Sequence, residues 1–136
     1  MHFACHGWSE SYDVLSSGIL LRPDARHDGI WQSREIAGRD LGCPLVFLNV
    51  CPEEIALGNV RQRTLSQAFF EAGCHSVISP RWEVDDLAAA VAAKSFYRYL
   101  PMSASNLAET LRQAQIEVRD KVNAHPAYWA GYALQH

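Results

Sequence analysis

Two side chains in this chain combine reactive chemistry with a position at the end of an apolar run. They are His6 in "HFACHG" (residues 2–7) and Cys51 in "LVFLNVCPEE" (residues 45–54). A free thiol has a pKa of about 8.5 and is mostly protonated at neutral pH, so an imidazole that accepts or shares its proton raises the thiolate fraction. The thiolate can attack a carbonyl carbon, and the imidazolium can then protonate a leaving amine. The other cysteines lack such support: Cys5 and Cys43 read as small packed hydrophobes, and Cys74, with His75, follows a helix stop and faces the sheet or its edge. Cys5, His6 and Cys51 together lack the paired CxxC or HxxxH spacing of structural zinc, so no metal and no cofactor is expected.

These two residues need a scaffold, and the apolar patterning supplies one. "MHFACH" alternates and is closed by Gly7, as a strand running into a loop does. "SGILLRP" and "DGIWQ" flank the turn-forming "PDARHDG" and read as a hairpin, and "SREIAGRD" reads as a short helix capped by Ser33. "LVFLNVC" is continuously apolar, as in a strand covered on both faces.

Leu65, Ala68, Phe69 and Ala72 then form a helical face that stops at Gly73, and "HSVISP" is a further strand. "DDLAAAVAAKSFYRYL" is acidic at its start and basic toward its end, matching a helix dipole, while Leu107, Leu111, Ala114 and Val118 mark a second long helix. "YWAGYALQ" closes the chain as a strand or a packed tail, its aromatics tying down the terminus. Strands alternating with helices predict a mostly parallel α/β sheet, in which ligands bind at the carboxyl ends of the strands. If the strands before His6 and Cys51 are neighbours, under ~5 Å apart, both side chains reach one rim.

Composition limits the alternatives. The chain has 136 residues, 49% of them hydrophobic, enough for one sizeable core. Twelve Lys and Arg against fifteen Asp and Glu, with no basic run, argue against a nucleic-acid surface. No stretch is long enough to span a bilayer, and the N-terminal apolar run lacks the length and charged flank of a secretory signal, so no membrane partner and a cytoplasmic setting are expected. A chain this rich in aliphatic and aromatic residues does not need disulfide staples, so all four cysteines are expected as thiols. No Gly-rich phosphate loop supports nucleotide binding.

Four segments in order, "HFACHG", "LVFLNVCPEE", "FFEAGCHSVISPRWEVDD" and "HPAYWAGYALQH", resemble those of the CHAT domain, a caspase-like module of clan CD that also holds separase and the metacaspases. About 45 residues separate His6 from Cys51, close to the roughly 50 between histidine and cysteine in caspases. The resemblance spans residues 1–136 and implies a three-layer α/β/α sandwich without the N-terminal strands of the full caspase-like sheet. It implies a cysteine endopeptidase with His6 and Cys51 as dyad, and an oxyanion hole from the backbone N–H groups of Gly7 and Cys51. It also implies that Trp82, with Asp85 or Asp86, recognises a basic side chain before the cut, and Asn49 lines the same pocket.

Asp85 and Asp86 equally suit the first turn of the helix that follows. The partners implied are a protein or peptide substrate and a regulatory region or partner, often helical repeats in relatives. One departure is the loop after Cys51, where "PEEIALGN" delays its glycine to Gly58 while many relatives carry Thr and Gly directly. That departure and the missing strands favour the alternative, a catalytically inactive interaction module. The abrupt start at "MHFACHG" is expected of the carboxyl-terminal part of a larger polypeptide, or of a chain that homo-oligomerises through an exposed sheet edge.

Overall fold

The short apolar runs that precede His6 and Cys51 pair with each other. A computed structural model describes residues 1–8, 17–50, 65–103 and 106–136. Its first unit, Met1–Trp82 with Gln135–His136, holds β1 (His2–Ala4), β2 (Gly7–Trp8), β3 (Gly18–Leu20), β4 (Ile30–Gln32), α1 (Ser33–Ala37), β5 (Val46–Asn49), α2 (Leu65–Glu71) and β6 (Val77–Pro80). β1, β5 and β6 lie side by side and all run in the same direction, with β1 at the edge among the described residues. The register sets Ala4 opposite Asn49 and Val46 opposite Val77.

Alternation along these strands builds the core. Val46, Leu48 and Val50 are buried on one face of β5, in a cluster with Phe69 and Ala72 of the α2 segment, Ile19 of β3 and Ile36 of α1. Phe3 and Cys5 pack onto this cluster, and Phe3, Trp31 and Phe69 meet with ring centroids 5.6–6.0 Å apart. Phe47 and Ile78, of the opposite parity, are also fully buried, so both faces of the central strands are covered, as the unbroken apolar run of β5 demands.

The chain leaves this sheet at once. Gly7, expected in a loop, begins β2 of a second, antiparallel sheet of order β2-β3-β4. Of this sheet the sequence marks only the β3–β4 hairpin, because two residues of β2 are too few to show a period. One helix start also differs from expectation. Gln32, not Ser33, occupies the N-cap of α1: its N–H donates to the Glu35 carboxylate at 2.9 Å, and Ser33 is buried in the first turn. α2 stops as expected at Gly73, whose φ of 82° permits a Schellman cap, with Gly73 N–H donating to Phe70 O at 2.9 Å and Cys74 N–H to Phe69 O at 3.0 Å.

The second unit, Glu83–Leu134, contains α3 (Asp86–Tyr99), α4 (Leu107–Lys121), α5 (Pro126–Trp129) and β7 (Tyr132–Gln135), whose last residue belongs to the first unit. α3 and α4 pack together with Phe96, Leu111, Ala114 and Val118 buried. The short α5, set by His125 at its cap and Pro126 in its first turn, is absent from the sequence reading because one turn shows no period. No helix among the described residues is long and apolar enough to cross a membrane.

Candidate functional site

His6 occupies the two-residue link between β1 and β2. Phe3 and Cys5 turn toward the core, while Ala4 and His6 are exposed, so strand alternation decides which side chain of "CH" meets solvent. The His6 carbonyl accepts the Leu20 N–H at 2.8 Å. That bond makes Gly7–Ile19 a non-hydrogen-bonded antiparallel pair, which turns the Gly7 N–H away from β3.

Gly7 is needed for space rather than for φ, since among the described residues the positive-φ glycines are Gly29, Gly42 and Gly73. A Cβ at Gly7 would lie 2.9 Å from the Gly18 carbonyl oxygen and 3.4 Å from Val50 Cβ. The backbone after His6 is thus packed against the residue before Cys51. Neither Val50 nor Gly18 carries a chemical signal in the sequence; only the pairing reveals them.

Asn49 ends β5, half-buried, opposite Ala4. Continuing the β5–β6 register places Asn49 opposite Pro80, and Trp82, 38% exposed, follows two residues later. His6, Gly7, Asn49 and Trp82 therefore gather at the carboxyl ends of three parallel strands, the rim where α/β sheets bind ligands. Cys51 lies outside the described residues. Asp85 and Asp86 belong to the second unit: Asp85 is the N-cap of α3, its carboxylate accepting the Ala88 N–H at 3.1 Å, and Asp86 is the first helical residue.

Burial pushes the Cys5 thiol up, keeping it protonated at neutral pH. Burial, with the charged amino terminus, holds the His2 imidazole below its usual value. No cluster of three or more His, Cys, Asp or Glu suited to a metal ion occurs among the described residues. A cavity of ≈ 630 Å³, lined in part by Arg22, Arg26, His27, Trp31 and Arg39, belongs to the β3–β4 hairpin and includes none of the rim residues.

No curated protein matches the chain. The CHAT domain description matches residues 1–135, including both "HG" and the segment around residue 51. By this match over nearly its whole length, the chain belongs to the CHAT domain family, a caspase-like clan CD cysteine peptidase fold.

Proposed function

We propose that this chain is a caspase-like cysteine endopeptidase domain, built on an α/β/α sandwich, that cleaves a protein substrate through Cys51 and His6. The observation that carries the reading is the parallel pairing of Ala4 with Asn49. Two residues on from Ala4 is His6, and two residues on from Asn49 is Cys51. The packing of Gly7 against Val50 keeps the two segments together past the last paired residues.

The chemistry follows from these positions. His6 takes the Cys51 proton, and the thiolate attacks the scissile carbonyl carbon, forming a C–S bond while the oxygen gains the electron pair. That oxyanion accepts from the Gly7 and Cys51 N–H groups, a role that the turning of the Gly7 N–H away from β3 supports. Collapse breaks the C–N bond, and the His6 imidazolium protonates the departing amine. Water, deprotonated by His6, then attacks the acyl carbon and the thiolate leaves, restoring the dyad.

Trp82 and Asn49 line the substrate side of the rim in this proposal, and Asp85 or Asp86 recognises a basic residue before the cut. The substrate is a protein or peptide in the cytoplasm, and a regulatory region or partner controls access.

A peptidyl electrophile with a basic residue at its reactive end tests the reading. The wild type should be labelled at Cys51, Cys51→Ser should not, and His6→Ala should react about 10²-fold or more slowly. Equal labelling of the wild type and Cys51→Ser would remove Cys51 from the mechanism. Asp85→Asn, which keeps a capping oxygen, should weaken the preference for a basic residue without loss of helix stability; an unchanged preference would leave Asp85 as a cap alone.

A further inference from the structure

At the opposite end of the sheet from His6, two cysteines meet. Cys43 stands three residues before Val46 and Cys74 three residues before Val77, and those two valines are register partners in the β5–β6 ladder. Both backbones are pinned there. The His75 N–H donates to the Cys43 carbonyl at 3.0 Å, the Leu41 N–H donates to the Ala72 carbonyl at 2.8 Å, and the Gly73 cap fixes Cys74. Both residues are buried, 8% and 4% exposed.

The Sγ atoms lie 2.7 Å apart, closer than two unlinked sulfurs ordinarily settle, although both residues are free thiols here. Burial and the contact with Cys43 push the Cys74 thiol up to about 11, so that thiol is protonated and slow to react at neutral pH. Slowness does not set the equilibrium. Sulfurs already in contact on fixed backbones need little movement to reach the bonded separation of about 2.05 Å.

We infer that Cys43 and Cys74 are a disulfide-forming pair, a redox modification site that closes the segment carrying Cys51, with a small-molecule disulfide such as oxidised glutathione as oxidant. The thiolate of one cysteine attacks a sulfur of the small disulfide, forming a mixed disulfide and expelling one small thiolate. The second cysteine's thiolate attacks the protein-side sulfur, forming the Cys43–Cys74 bond and expelling the other. The two protons given up by the cysteines end on the two small thiols, and the two electrons reduce the oxidant. The site is separate from the His6 rim and does not depend on the peptidase reading.

The full chain is equilibrated in glutathione buffers of graded ratio, from both reduced and oxidised material until the two agree, with and without denaturing urea. Peptide mapping without reductant reads the linked fraction. The folded chain should favour the Cys43–Cys74 link at least about tenfold more than the urea-unfolded chain. The Cys51→Ser variant should form the same link to the same extent. An equal or smaller preference in the folded chain would overturn the inference. So would a mixed disulfide on each cysteine, or links from either to Cys5, in place of the mutual bond.

Discussion

At the scale of single residues, the alternation of β1 decides what "HFACHG" can do. Phe3 and Cys5 face the core and His6 faces solvent, so a one-residue shift in register would exchange an imidazole for a half-buried thiol. Gly7 then holds the histidine's segment in place by having no side chain. Gly7→Ala forces a Cβ to within 2.9 Å of the Gly18 carbonyl and 3.4 Å of Val50. It should cost about 1–3 kcal/mol in urea unfolding; unchanged stability would mean that β2 can move off β3 without penalty.

His6 was legible in the sequence as an imidazole at the end of an apolar run, whereas Gly7 and Asn49 entered as site residues only through the resemblance to the CHAT domain. Gly18 and Val50 were not legible, because steric contact across strands leaves no local mark. Cys43 and Cys74 fall between: "CPLV" and "CHSV" each place a cysteine three residues ahead of a strand valine, a repeat visible in the sequence but meaningless until the strands are known to pair.

At the scale of elements, α3 and α4 are joined by one carboxylate. Glu117 of α4 accepts from Tyr99 Oη at 2.7 Å and Ser95 Oγ at 2.8 Å, both on α3, pairs with Arg98, and receives Lys121 Nζ at 3.0 Å. The hydrogen bond from Tyr99 and the bonds from Arg98, Ser95 and Lys121 hold its carboxyl far below the usual carboxylate range.

A folded-state pKa below the unfolded value of about 4.3 gives stability that is complete above that pH and lost as pH falls toward the folded value. Glu117→Gln should therefore be less stable by about 1–3 kcal/mol at neutral pH, reduced by the solvent screening of its exposed partners. The deficit should narrow from about pH 5 toward pH 3 in urea titrations. A deficit independent of pH would assign the effect to packing. The two long helices were legible from their periods and charged ends, yet Glu117 was not, because four partners from two helices converge on it only after packing. The one-turn α5 and the two-residue β2 escaped notice because neither is long enough to repeat.

At the scale of the whole chain, strand-helix alternation correctly led to an α/β fold with β1, β5 and β6 parallel, and the ordered segments led to the CHAT family, which matches residues 1–135. Of the antiparallel sheet that begins at Gly7 only the β3–β4 hairpin showed in the sequence; β2 was hidden, since the chain passes between sheets within the two residues Cys5 and His6. That abrupt passage sets His6 at the rim, next to β5.

The central claim is that His6 and the Cys51 thiol share a proton. Peptide-resolved alkylation of Cys51 by iodoacetamide, followed across pH in the wild type and in His6→Ala, tests it directly. The wild type should react with an apparent pKa well below about 8.5, and His6→Ala should return to that ordinary value. Superimposable curves for the two proteins would contradict the account.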